Sequence, residues 1–306
     1  MTTRAVVFAY HNVGARCLRV LRAHDVHVAL VLTHADDPRE MCWFERVADV
    51  AEDLALPWIA PDDANASDVE ARVRALAPDF LFSFYYRRML APRVLAIPTS
   101  GALNMHGSLL PKYRGRAPVN WAIANGERET GATLHYMVDK PDAGDIVAQQ
   151  AVPILPDDTA REVLDKVTVA AEIALDGALP ALLAGRAPRR PNDIARGSYF
   201  GGRTPEHGRI DWSQSATRIH DLVRAVAPPY PGALTTLAGA PARVLSTRVA
   251  ATGTHGAACM RAEDGALLAD CGGGGTLRVR SLEVEGRPLD AVEFVARFGS
   301  RPVPLV

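Results

Sequence analysis

The sequence predicts an α/β domain followed by a smaller β domain, on three observations. Short apolar, β-rich runs alternate with stretches of helical period through the first half, a Pro-, Arg- and Gly-rich stretch breaks that pattern near residue 200, and short strands separated by Gly and Asp follow it. At 306 residues, 48% of them hydrophobic, the chain is long enough to bury a substantial core.

Strands of the first half are expected over residues 5–9, 26–33, 80–84, 102–105 and 132–138, with covering helices between several of them. Ser67-Asp-Val-Glu70 has capping-box spacing, so a helix is expected to begin there with Ser67 as its cap. Thr159-Ala-Arg-Glu162 has the same spacing and opens a longer helix. Val163, Val167, Ala171, Ala174 and Ala178 recur along it at three- and four-residue intervals, as a buried face requires, and Pro180 is expected to kink or end it.

Residues 187–203 read as an irregular connection, which places a catalytic domain at 1–203 and a second domain at 204–306. Beyond the connection a helix is expected over 215–226 and strands over 242–249, 266–270 and 277–284, the pattern of a small barrel-like β domain.

Charge and composition narrow the partners. With 34 basic and 35 acidic residues the net charge is −1, so no global field draws the chain to nucleic acid or to an anionic membrane. The apolar run at the N-terminus ends at His11, too short for a signal peptide, and no stretch approaches the length of a membrane span, so no membrane insertion and a cytoplasmic location are expected. Four cysteines without C-x-x-C spacing read as small buried hydrophobes in a reducing compartment, and Trp43, Trp58 and Trp212 as packing residues. The histidines show neither H-x-x-x-H nor H-E-x-x-H spacing, so no metal is expected.

The stretch richest in chemistry runs from Asn104 through His106-Gly-Ser-Leu-Leu-Pro-Lys-Tyr-Arg-Gly-Arg116 to Trp121. Side chains alternate along a strand, so Asn104 and His106 project from one face. A carboxamide and an imidazole side by side form an acyl-transfer pair: the amide N–H stabilises an oxyanion while the imidazole moves a proton. The basic loop that follows is suited to an anionic ligand. Downstream, a Pro- and Gly-punctuated loop carries Asp139, Asp142 and Asp145, one of which is expected to orient His106.

Phe8-Ala-Tyr-His11, Phe82-Ser-Phe-Tyr-Tyr-Arg87, the His106 to Pro118 stretch and Asp142-Ala-Gly144 together resemble the folate-dependent formyltransferase family, over essentially the whole chain. They are most similar to the members that formylate UDP-4-amino-4-deoxy-L-arabinose in lipid A modification. The resemblance implies a Rossmann-like N-terminal formyltransferase domain, an OB-fold-like C-terminal domain and 10-formyltetrahydrofolate as formyl donor. It assigns Asn104 as transition-state stabiliser, His106 as proton-transfer residue and Asp142 as its carboxylate partner. It maps folate contacts to Arg88, Met89, Leu90, Arg116 and the run Val138, Asp139, Lys140, Pro141 and Asp142. Fused members carry an NAD-dependent decarboxylase domain; the chain ends at Val306 without one, so a single activity is expected, with a decarboxylase as a separate or fused partner.

Three rivals were weighed. A nucleotide-dependent oxidoreductase fails on the first turn, Tyr10-His-Asn-Val-Gly-Ala-Arg16, which lacks G-x-G-x-x-G. Formylation of methionyl-tRNA would call for a basic surface, and Gly107, Tyr113, Arg116 and Trp121 fit a sugar nucleotide better. A non-catalytic folate or nucleotide-sugar binder would have no use for Asn104, His106 and Asp142 together.

Overall fold

The computed structural model describes residues 2–37, 42–253 and 256–306. The chain forms two compact units. Met1–Pro118, Glu129–Val152 and Leu164–Phe200 make up the first; Val119–Arg128, Pro153–Val163 and Gly201–Val306 make up the second.

In chain order the strands of the first half are β1 (Arg4–Ala9), β2 (His27–Leu32), β3 (Trp58–Ile59), β4 (Phe80–Phe84), β5 (Gly101–His106), β6 (Arg114–Gly115), β7 (Glu129–Tyr136), β8 (Ile146–Pro153) and β9 (Tyr199–Phe200). The helices are α1 (His11–Ala23), α2 (Val47–Asp53), α3 (Ser67–Ala75), α4 (Pro92–Leu95), α5 (Pro118–Ala124) and α6 (Ala160–Leu183).

Seven of these strands form one sheet in the order β3-β2-β1-β4-β5-β7-β8, while β6 pairs in parallel with β9. All five residues of β4 are buried, the continuous apolar pattern of a strand covered on both faces. β1 pairs in parallel with β2 and with β4, and β4 with β5. Strand order therefore reverses between β1 and β4, and a crevice at a sheet's carboxyl ends forms at such a switch point. β7 then runs antiparallel to β5, setting Asn104 opposite His135 and His106 opposite Thr133.

The second unit carries β10 (Ala233–Leu237), β11 (Ala240–Ala251), β12 (Cys259–Glu263), β13 (Ala266–Asp270), β14 (Thr276–Val284), β15 (Arg287–Pro288) and β16 (Val303–Pro304), with helices α7 (Ala216–Ala225) and α8 (Ala291–Phe298). Its sheet runs β10-β11-β14-β13-β12-β16, with antiparallel neighbours. Register shifts where β11 meets β14 curl that long pair. Ile219, Val223, Val244, Leu277 and Phe294 fill its core.

An α/β sheet followed by a smaller antiparallel β unit is thus the observed architecture. The five strands expected in the first half and the three in the second are present, most within a residue or two of the expected bounds, though strand 102–105 extends to 101–106 and strand 132–138 to 129–136. Three expectations are corrected. Ser67 is the first helical residue and does not cap α3, because Ala66 holds the cap position and Glu70 is committed to Arg74 and Arg93. α6 continues three residues past Pro180, near its end, where little remains to be broken. Cys42 is exposed and Cys259 only half-buried, unlike Cys17 and Cys271. Trp212 is buried, its indole N–H donating to Thr235, whereas Trp43 and Trp58 are half-buried.

The capping box at Thr159 is formed: the Thr159 N–H donates to Glu162 at 2.7 Å and the Glu162 N–H to the Thr159 hydroxyl at 3.4 Å. Val163, Val167, Ala171, Ala174 and Ala178 are all buried. Thr159→Ala is expected to cost about 1 kcal/mol in urea unfolding and Ser67→Ala less than about 0.5 kcal/mol, and equal losses would restore Ser67 as a cap.

Candidate active site

Asn104 and His106 stand on the last turn-out of β5, and their alternation on one strand face brings both side chains to Asp142. Nδ2 of Asn104 lies 3.5 Å and Nδ1 of His106 3.6 Å from the same carboxylate oxygen, Oδ1. The Gly115 N–H donates to Oδ2 at 2.8 Å, and Asn192 donates to the Asp142 carbonyl at 3.0 Å. Asp142 has φ 50°, a left-handed conformation that costs on the order of 1–3 kcal/mol outside glycine and persists where surrounding contacts enforce it.

Burial alone would push the Asp142 carboxyl upward. The charge of His106, the contributions of His135 and the hydrogen bond from Gly115 outweigh that effect and hold the group well below the usual carboxylate range. The site therefore contains an ionised carboxylate with little access to water.

The imidazole of His106 is oriented from its other side. Nε2 lies 2.8 Å from the Tyr113 carbonyl, which can only accept, so Nε2 carries a proton. Nδ1, facing Asp142, is the nitrogen left to gain or lose one. Tyr113 is placed for this by the loop after β5. The Ser108 hydroxyl donates to the Lys112 carbonyl, the Tyr113 N–H donates to the Ser198 hydroxyl, and the Tyr113 ring stacks on Phe200. Gly107 has to be glycine because a Cβ there would collide with the Tyr85 hydroxyl. Gly115, at φ 97°, brings its backbone against Phe200 where a Cβ would clash.

Sequence reasoning missed His135. This buried residue of β7 sits across from Asn104, with Nε2 3.1 Å from Asn104 Nδ2 and 3.5 Å from Asp142 Oδ1, while Nδ1 donates to the Tyr136 carbonyl at 2.8 Å. Its signal was available: Thr133, His135 and Met137 share strand parity, but nothing in the sequence alone fixed the register of β7 on β5.

The remaining expected positions are distributed as follows. Arg88, Met89 and Arg116 are exposed, as are Val138, Asp139 and Lys140, and Pro141 is half-buried. Leu90 buries its side chain in the core with Leu81 and Val94, so only its backbone is available to a ligand. Asn65 holds that segment, donating to the Met89 carbonyl and accepting from the Ala91 N–H. Met89 and Val138 are large apolar side chains left facing solvent, which suits contact with an apolar ring. Arg114, unlike Arg116, is buried. Among the described residues no group of three or more His, Cys, Asp or Glu is arranged to hold a metal, and no helix is long and apolar enough to cross a membrane.

Residues 5–179 match the formyl transferase family and residues 203–299 match the formyl transferase C-terminal domain. Among solved structures the chain is similar to an N-formyltransferase from Helicobacter canadensis in complex with folinic acid and dTDP-3-aminofucose, with 18% identity over 91% of this chain and 99% of that one and a TM-score of 0.71. It is likewise similar to WlaRD, a sugar 3N-formyl transferase solved in the presence of dTDP and 5-N-formyl-THF, with 18% identity over 94% and 99% and a TM-score of 0.70. HypX from Aquifex aeolicus in complex with tetrahydrofolic acid shares 18% identity over 97% of this chain and 48% of that one, with a TM-score of 0.64.

The lowered pKa of Asp142 has a consequence for stability. Its folded value lies below the unfolded value of about 3.9, so its contribution is complete above that pH and is lost as the pH falls toward the folded value. The stability deficit of Asp142→Asn in urea unfolding is expected to be greatest near neutrality and to shrink below about pH 4. A deficit independent of pH would show that the native carboxylate is not held in this way.

Proposed function

The chain belongs to the formyl transferase family, and on that premise we propose that it transfers the formyl group of 10-formyltetrahydrofolate to the amino group of a nucleotide-linked sugar. The observation that carries this reading is the meeting of Asn104, His106 and Asp142 around one carboxylate oxygen, within 3.6 Å, on the part of the chain that matches the family's transferase domain. The folate and dTDP-sugar ligands of the similar solved structures support the donor and the acceptor class. The acceptor we assign is UDP-4-amino-4-deoxy-L-arabinose, in a cytoplasmic step of lipid A modification, with an NAD-dependent decarboxylase, separate or fused, acting in the same route. Residues 1–203 serve as the catalytic domain and 204–306 as the OB-like domain.

The chemistry needs no covalent enzyme intermediate. The neutral amine attacks the formyl carbon; a bond from carbon to the amine forms as the bond to the folate nitrogen breaks. Negative charge that builds on the formyl oxygen is met by an N–H of Asn104. His106 takes the proton lost by the amine at Nδ1 and returns it to the departing nitrogen, and Asp142 steadies the ring while it is charged. Met89, Val138 and the backbone of Leu90 are placed to lie against the donor, with Arg88 and Arg116 available to its anionic portion. A net charge of −1 supplies no global field toward the phosphates of a tRNA.

A dTDP-linked amino sugar is the second acceptor to test, because both sugar formyltransferases described above were solved with dTDP ligands. Purified protein, 10-formyltetrahydrofolate and each acceptor in turn are incubated and the product followed by mass. Formylated UDP-4-amino-4-deoxy-L-arabinose is expected; product from the dTDP sugar or from methionyl-tRNA alone would replace the acceptor. His106→Ala is expected to lose roughly 10²- to 10⁴-fold in kcat and Asn104→Ala about 3 kcal/mol of transition-state stabilisation, with the far-UV circular dichroism of the folded enzyme unchanged.

A further inference from the structure

His135 faces the one side chain whose orientation the transfer step depends on most. Asn104 can serve a developing oxyanion only if its nitrogen end, not its oxygen, is presented, and a free carboxamide has little preference between the two. Two acceptors converge on Nδ2 in this site: Nε2 of His135 at 3.1 Å and Oδ1 of Asp142 at 3.5 Å. The carboxylate can only accept, so it rejects the amide oxygen and sets the rotamer, and an unprotonated Nε2 on His135 favours the same one.

The role of His135 is set by its far side. Nδ1 lies 2.8 Å from the Tyr136 carbonyl, an acceptor only, and so carries the ring proton. In the neutral imidazole Nε2 then holds a lone pair directed at Asn104. A proton on Nε2 would serve Asp142 instead, at the longer distance of 3.5 Å, and would set two donors against each other at 3.1 Å. The shorter contact therefore belongs to the neutral ring. β7 supplies the rest: its antiparallel register places His135 directly opposite Asn104, and the ring is buried, with no water to compete for the amide.

We propose that His135 is a positioning residue for formyl transfer, whose Nε2 accepts one N–H of Asn104 at 3.1 Å and so fixes the carboxamide, while the second N–H, held only by the long 3.5 Å contact to Asp142, is the one the formyl oxygen takes over. This rests on the transferase reading given above but not on the identity of the acceptor. The shortest side-chain contact of His135 is to Asn104, with Asp142 farther off, so its loss is expected to act chiefly through Asn104.

The test is a double-mutant cycle on Asn104 and His135, run with whichever acceptor is turned over. His135→Leu is expected to lower kcat about 10- to 100-fold with KM for donor and acceptor unchanged, and His135→Gln, whose carbonyl can accept from Asn104, to recover part of the loss. In the Asn104→Ala background His135→Leu is expected to cost nothing further. Additive losses, or a His135→Leu enzyme with unchanged kcat, would overturn the proposal. Imidazole ¹⁵N NMR of His135 provides a readout that needs no turnover: a neutral ring protonated at Nδ1, with an Nε2 signal that shifts in Asn104→Ala, is expected. An Nε2-protonated ring, or no response to Asn104→Ala, would sink the role of His135 while leaving the transferase reading intact.

Discussion

A carboxylate largely removed from water is tolerated only where charge and hydrogen bonds replace its hydration, and Asp142 imposes that condition on the first unit. Oδ1 takes the amide and two imidazoles within 3.6 Å; Oδ2 takes a backbone N–H from Gly115. These partners come from three separate parts of the sequence. β5 delivers Asn104 and His106, β7 delivers His135, and the β6 segment delivers Gly115, whose own position depends on the pairing of Arg114–Gly115 with Tyr199–Phe200, far along the chain. Losing Asn104, His106 or the Gly115 N–H would leave the anion short of a partner in a place where replacing it with water is costly.

Part of the chain's left-handed backbone lies around this site, while turns such as Asp25, Ala55 and Ala238 carry it elsewhere. His11, Tyr85, Tyr113 and Asp142 all adopt left-handed φ values, between 50° and 64°, without being glycine. His11 and Tyr85 follow β1 and β4, at the sheet's switch point, and Tyr113 and Asp142 hold His106 from opposite sides. Tyr85 presses its hydroxyl against Gly107, so the strained turn after β4 sets how tightly the chain leaves β5 beside His106. Strain gathered at the carboxyl ends of these strands is what a preorganised site would show, since relaxed loops would let the imidazole and the amide drift.

Much of this was legible in the sequence, and the parts that were not have separate physical causes. Continuous apolar runs such as Phe80 to Phe84 announce buried strands, and Thr159 with Glu162 announces a helix start, because both are local patterns. The pairing of Asn104 with His106 follows from strand alternation alone. The choice of Asp142 over Asp139 and Asp145 came from family resemblance; the residues by themselves left three acids in one loop. Ser67 misled because its spacing to Glu70 is that of a capping box, whereas two arginines claim the glutamate. His135 went unread because its meaning depends on the register between β5 and β7, a non-local quantity. The helix at Ala291–Phe298 was missed for a simpler reason, since Asp290 and Glu293 form a capping box that the sequence displays.

The arrangement also bears on where substrate choice must be made. Asn104, His106, His135 and Asp142 are occupied with one another and with backbone carbonyls, so they can recognise a formyl group and an attacking amine but have nothing left with which to read a sugar or a nucleobase. Discrimination between acceptors then has to come from side chains that are not already committed to the carboxylate. It follows that acceptor preference can change by substitution around the site without disturbing the catalytic set, as in any transferase whose chemistry is fixed and whose binding surface varies.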